Sequence, residues 1–277
     1  MSRLLAHIAA CHNAALPGGR TAFAIGAEQV GWLAPGLAAA LDGQPAIRRS
    51  GDALCLTRAE ALPGLARAAA ALGFGRHRGE SFDVRARPGG AVLAQIDRGA
   101  LPAFGIAAEG VHLNGLVRRP PGPGGGLHVW IARRAATKAL DPGKLDHMVA
   151  GGTPAGLSAW QTLLKEAAEE AAIPPGLAAR AVKTAEITYA MARPEGLRRD
   201  VLHCYDLDLP EEFTPHAADG EVESFALWPV ARVLDAVRET DDFKFNVNLV
   251  LIDLFLREGL IAGAEAAALR RALAGET

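Results

Sequence analysis

The sequence predicts an α+β / α/β chain in two parts: a smaller α+β unit over residues 1–108 and a larger unit of sheet and helices over residues 109–277. Three observations carry this. The chain has 277 residues, 50% of them hydrophobic and 22% charged, which is enough to bury a core and unlike a disordered chain. Strand-like runs are interleaved with Ala/Leu-rich runs of helical period along its length,. Finally, Arg118-Arg-Pro-Pro-Gly-Pro-Gly-Gly-Gly126 is too dense in Pro and Gly for a helix or a central strand,. Residues 111–117 and 128–133 on either side both read as strands, so this run reads as a hairpin turn and the boundary falls near residue 108,.

In the first unit, residues 2–13 and 58–72 predict helices, and residues 22–25, 30–33, 82–85 and 91–96 predict short strands,. No repeat of solenoid length is present. In the second unit, strands at 111–117 and 128–133 are followed by a loop, a helix at 157–172 and strands at 186–191, 200–209 and 221–228. Helices at 230–239 and 246–257 close it; Pro229 suits a helix start and Gly259 a helix stop,. Val247, Leu251, Leu254 and Phe255 share one face of the last helix, as in a helix that packs on a core,. Trp32, Phe82, Trp130 and Trp228 read as core before they read as ring-binding platforms,.

The formal net charge of −2 supplies no basic field for nucleic acid,. Cys11, Cys55 and Cys204 are far apart and odd in number, without zinc or redox spacing, and read as free buried thiols in a reducing compartment,. His7 interrupts the N-terminal apolar run, which favours a helix over a signal peptide,. No run approaches the ~20 apolar residues that span a bilayer. The expectation is a cytoplasmic protein with no membrane or nucleic-acid partner.

The chemistry is concentrated in Gly151-Gly-Thr-Pro-Ala-Gly-Leu157, Ser158 to Leu164, and Lys165-Glu-Ala-Ala-Glu-Glu-Ala-Ala-Ile173. A glycine-rich loop is expected to open into a helix. Glu166, Glu169 and Glu170 are spaced three and four apart, so they lie on one face and repel by a few tenths of a kcal/mol per pair,. A divalent cation would remove that repulsion and gain hard oxygen ligands, which suits Mg²⁺. Lys-Glu-Ala-Ala-Glu-Glu-Ala-Ala by itself is an ordinary solvated helix face. Its position behind Gly151, Gly152 and Gly156 is what marks it as a site.

This segment resembles the Nudix box: a glycine, five residues, a glutamate, seven residues, then Arg-Glu-aliphatic-x-Glu-Glu-x-Gly-aliphatic. Gly151 falls at the opening glycine, Lys165 at the arginine, Glu166, Glu169 and Glu170 at the metal-associated glutamates, and Ile173 at the closing aliphatic position. Leu157 and Ala172 depart from the pattern, standing where a glutamate and a glycine are expected. The likeness extends over most of residues 110–262. It includes Lys138, Pro142-Gly143, Arg199-Asp-Val-Leu, Tyr205-Asp-Leu-Asp-Leu-Pro210, Asp219-Gly-Glu-Val-Glu-Ser-Phe225 and the run from Phe243 to Val250. These look like the Nudix subfamily related to thiamine pyrophosphokinase, whose members carry an N-terminal α+β domain of their own. Phe82-Asp-Val, Ile96-Asp-Arg-Gly and the run from Phe104 to Gly115 look similar to that domain.

The resemblance implies an α/β/α sandwich on a mixed sheet for residues 109–277. It also implies hydrolysis of diphosphate bonds in a small molecule with Mg²⁺ or Mn²⁺, in some members of oxidised or damaged thiamine diphosphate. It leaves a homodimer open. Glu166, Glu169 and Glu170 would be the metal ligands and catalytic carboxylates, and Glu221 or Glu223 the later carboxylate that takes the proton from water,. Candidate substrate contacts are Arg133 or Arg134, Arg198 or Arg199, His147, Gly151 and Gly152,. His203, alternating on a strand, is expected to pack. Two competing readings are an ADP-ribose or nucleoside diphosphate pyrophosphatase and a non-catalytic Nudix-fold binding module.

Overall fold

The computed structural model describes residues 2–217 and 220–276. The chain opens with helix α1 (Arg3–Cys11), strands β1 (Thr21–Ile25) and β2 (Glu28–Leu33), helix α2 (Pro35–Leu41) and strands β3 (Ile47–Ser50) and β4 (Ala53–Leu56). Helix α3 (Leu62–Ala71), strands β5 (Ser81–Val84) and β6 (Ala94–Asp97) and helix α4 (Leu101–Phe104) follow. The first sheet has the order β2-β1-β4-β3, parallel only between β1 and β4, while β5 and β6 form a separate ribbon. Phe23, Leu54, Phe82, Ile96 and Phe104 meet in one core with the inner faces of α2 and α3. Sequence periodicity missed α2, β3 and β4. Helix α2 is short and starts on Pro35-Gly36, and β3 is an edge strand with Arg48, Arg49 and Ser50 exposed, so it shows no alternation.

The second sheet is built on β7 (Ala107–Arg119), β8 (Gly126–Arg134), β9 (Leu145–Asp146), β10 (Val149–Gly152), β11 (Val182–Arg193), β12 (Gly196–Asp208) and β13 (Val222–Pro229). Its order is β11-β12-β7-β8-β13, with β12 and β7 parallel and the other pairs in that path antiparallel. One edge of β7 is shared: β10 pairs with residues 110–113 and β8 with residues 115–119. Helices α5 (Ala159–Ala171) and α6 (Pro175–Ala178) lie on one side, against Val111, Leu113, Tyr205 and Leu207. Helices α7 (Val230–Glu239), α8 (Val247–Arg257) and α9 (Gly263–Leu273) pack on the other side, against Leu116, Leu202 and Cys204. Odd positions of β7 and β12 therefore face α5 and even positions face α8, as strand alternation requires. The result is a mixed sheet covered by helices on both faces.

Two placements differ from the sequence reading. Gly151 and Gly152 are not in a loop; they lie in strand β10, opposite Val111 and Gly110. Helix α1 belongs to the core of the second unit, where Leu4, Ile8 and Cys11 are buried with Val247, Leu251 and Phe255. Cys11, Cys55 and Cys204 are free and buried. Among the described residues no helix is long and apolar enough to cross a membrane.

Candidate active site

Helix α5 starts on a capping box. The Ser158 hydroxyl accepts from the Gln161 N–H (3.2 Å), and the Gln161 carboxamide oxygen accepts from the Ser158 N–H (2.9 Å),. The helix lies across β10, which brings the carboxylate face of its last two turns onto that strand. A Cβ built on Gly151 would meet the Glu166 carboxyl carbon at 2.5 Å, so any other residue there would force the Glu166 carboxylate to shift. Glu170 is 5% exposed and accepts from the Ala150 N–H at 2.8 Å. Burial, reinforced by Asp146 and Glu166, pushes its carboxyl up to about 8 against the pull of the Ala150 N–H,. Glu169 is half exposed and takes Lys165 at 2.5 Å, and Lys165 reaches Glu166 at 3.2 Å. Lys165 thus bridges two of the box glutamates, where the family pattern pairs an arginine with the residue replaced by Leu157.

A second layer supports this face. Asp146 is buried between Arg134 (2.6 Å) and Lys244 (3.6 Å). Burial opposes its charge, but Lys244, His147 and Arg134 outweigh it and hold the carboxyl well below the usual range. The Lys244 ammonium is in turn pushed down by burial. His147 follows Asp146 and stacks edge-on against His112, with ring centroids 5.1 Å apart; burial brings it down to about 4, so it is neutral near pH 7. Lys138 pairs with Glu221 and lies close enough to Glu170 to favour its ionised form.

The sequence candidates therefore divide. Glu166, Glu169 and Glu170 share one face beside Gly151, with Glu221 at the margin through Lys138. Glu223 is exposed on β13. Arg134 is spent on Asp146 and the Leu140 and Asp141 carbonyls. Arg133 is exposed, and among the described residues its guanidinium donates only to the Gly143 carbonyl, at 2.8 Å. Arg198 is locked to Asp200 at 2.6 Å, and Arg199 donates to the Gly105 carbonyl at 3.2 Å, tying the two units together. His147 is 2% exposed, with both ring nitrogens lacking hydrogen-bond partners among the described residues, which makes it part of the interior and not of an open surface. Gly152 is seated beneath Phe82, whose ring atom would lie 2.7 Å from an added Cβ.

Among the described residues no group of His, Cys, Asp or Glu side chains closes into a formed metal shell. The carboxylates turn to separate donors: the Ala150 N–H for Glu170, Lys165 for Glu166 and Glu169. The donor set nonetheless fits a hard divalent cation. It is all carboxylate oxygen, on one helix face, with the Glu166 cradle kept open by glycine,.

Sequence reasoning missed a set of polar groups beside this face. Glu109 on β7, Glu186 on β11 and His203 on β12 meet across three strands, with Asp83 and Arg85 of the first unit opposite them. They are scattered along the sequence, and only the sheet register joins them.

Residues 115–248 match the family model described as NUDIX domain. Two Arabidopsis thaliana proteins, Nudix hydrolase 20, chloroplastic, and Nudix hydrolase 24, chloroplastic, are each 44% identical over 184 residues. That is 66% of this chain but 48% and 49% of theirs, so the chain spans about half the length of the curated relatives it matches. Among solved structures, DR0079 from Deinococcus radiodurans aligns with a TM-score of 0.44 at 19% identity, over 70% of this chain and 99% of that one.

Proposed function

From the match of residues 115–248 to the NUDIX domain model, we propose that the protein hydrolyses the phosphoric anhydride bond of a small organic diphosphate. The products are the monophosphate and phosphate. The observation that carries this reading is the seating of Glu166 against Gly151, where a side chain would displace it, beside a buried Glu170 that ionises readily only if positive charge is brought to it. Glu166, Glu169 and Glu170 would hold Mg²⁺ or Mn²⁺. When bound, the cation supplies charge neutralisation for the diphosphate and a water acidic enough to attack phosphorus.

The residues of the chain do the rest. Glu221, kept at the margin by Lys138, accepts the proton of the attacking water,. Of the two candidate arginines, Arg133 meets phosphate oxygens, since Arg134 is held internally by Asp146,. Gly151 and Gly152 act by absence of a side chain, letting Glu166 and Phe82 close on the strand. The likeness of residues 110–262 to the subfamily related to thiamine pyrophosphokinase directs the substrate to oxidised or damaged thiamine diphosphate. The buried free thiols accord with work in a reducing, cytoplasmic compartment,.

The test is Mg²⁺-dependent phosphate or monophosphate release from a panel of oxidised thiamine diphosphate, thiamine diphosphate, ADP-ribose and nucleoside diphosphates. Turnover is expected, with kcat/KM falling at least about 100-fold in Glu166→Gln, as loss of a ligating carboxylate implies. Absence of turnover across the panel, or an active Glu166→Gln protein, overturns the reading. Faster turnover of ADP-ribose than of the thiamine compounds overturns the substrate assignment alone.

A further inference from the structure

A cavity of ≈ 370 Å³ opens between residues 82–89 of the first unit and the second sheet, next to the start of α5. Phe82 and Leu157 give it apolar walls, and Glu109, Glu186, His203 and Lys183 give it a polar side. Glu109 and His203 occupy odd positions of β7 and β12, the face that α5 covers, and Glu186 stands directly opposite His203 in the β11–β12 register. Glu109 lies two residues along β7 from Val111, the partner of Gly151, which is roughly 7 Å at the strand rise,. The cavity therefore adjoins the carboxylate face of α5 without being part of it.

Its polar groups have unfilled hydrogen-bonding capacity. The His203 Nε2 lies 2.7 Å from Glu109 Oε2. His203 is 5% exposed, yet its Nδ1 has no hydrogen-bond partner among the described residues; Glu186 Oε2, 3.3 Å away, lies outside bonding geometry. The nearest cation to Glu109 Oε1 is Arg85 Nε at 3.7 Å, beyond hydrogen-bond reach. Lys183 binds Glu186 through Oε2 at 2.9 Å and leaves Oε1 for another donor. A buried polar group without a partner is costly, and such groups in a cavity mark where a ligand completes the bonds.

We infer that this cavity is the ring subsite of the diphosphate substrate and takes a planar heterocycle presenting N–H donors; this rests on the hydrolase reading above. Glu109 and Glu186 accept from the ring's N–H groups, and the two apolar walls cover its faces. The same carboxylates repel phosphate, so the diphosphate end lies toward α5, where a cation held by the box glutamates would offset its charge. The first unit thus supplies half of the recognition site, through Phe82 and the segment that follows it.

Steady-state kinetics and calorimetry on the full chain test this, using Glu186→Gln and Glu109→Gln proteins whose melting temperatures match that of the parent. Thiamine diphosphate is the substrate probe, and thiamine monophosphate, titrated without metal, is the binding probe. The expected result is a KM at least tenfold higher with kcat within threefold, and thiamine monophosphate binding weakened at least tenfold. Hydrolysis with KM unchanged in both variants overturns the subsite and leaves the hydrolase reading standing. Monophosphate binding that is lost in the variants of a protein that hydrolyses nothing supports the subsite and overturns the hydrolase reading. Absence of thiamine monophosphate binding overturns the subsite, and absence of hydrolysis across the whole panel overturns the hydrolase reading as well.

Discussion

Glu170 shows how one side chain is set by its surroundings. Its unfolded reference value is 4.5 and its folded value is raised to about 8, chiefly by burial. Between those values the folded chain holds a proton that the unfolded chain lacks. The stability this group contributes is therefore complete below pH 4.5 and is lost as pH rises through 8. Glutamine mimics the protonated form and keeps an oxygen for the Ala150 N–H. In metal-free buffer the melting temperature of the parent protein is expected to match that of Glu170→Gln near pH 5 and to fall progressively below it toward pH 8. His147 and Asp146 titrate in both proteins, so the difference between the two isolates Glu170. A parent protein that gains on the variant as pH rises would show that Glu170 is ionised at no cost. That Glu166, Glu169 and Glu170 share one helix face was legible in their spacing; the proton on Glu170 was not, because it depends on Ala150, Asp146 and the depth of burial.

Helix α5 was legible to within two residues at its start and one at its end. Its apolar side, Leu163, Ala167 and Ala171, and its acidic side follow the helical period,. Its end repeats a departure visible in the sequence. Ala172 stands where the family pattern has glycine and adopts the left-handed conformation, with φ of 52°. A Cβ there costs about 1 kcal/mol or more. Ala172→Gly is therefore expected to stabilise the protein in urea unfolding by up to about 1 kcal/mol, the relieved strain being partly offset by the backbone entropy glycine adds to the unfolded chain. Lower stability would mean that the helix end tolerates the methyl group through contacts that outweigh the strain. The preceding strand was not legible. Gly151 and Gly152 read as a turn because glycine usually marks one, yet here it is selected by the side chains that close on the backbone, Glu166 and Phe82.

At the scale of the whole molecule, the division near residue 108 meets a chain that crosses back on itself. Helix α1 is first in sequence and packs against α7, α8, α9 and β11 of the second unit. Leu4 is fully buried there, so Leu4→Ala is expected to destabilise the second unit by about 2–5 kcal/mol,. Hydrogen exchange would show this as faster exchange in α8, while the first sheet, β1 to β4, stays protected. Faster exchange confined to β1–β4 would reassign α1 to the first unit. Sequence by itself determined the α+β class, the hairpin across the Pro/Gly run, the order of the longer strands and helices from residue 107 to 257 (β7, β8, α5, β11, β12, β13, α7 and α8), and the carboxylates of α5. Each of these is written in local periodicity, turn chemistry or spacing, which neighbouring residues decide among themselves. Tertiary structure alone decided that α1 completes a distant core, that the two glycines form a strand, and that Glu109, Glu186 and His203 line one cavity with Phe82. Those facts depend on which strands lie side by side and which face is covered, and pairing across 77 and 94 positions (109 to 186 and 109 to 203) leaves no mark in the residues between.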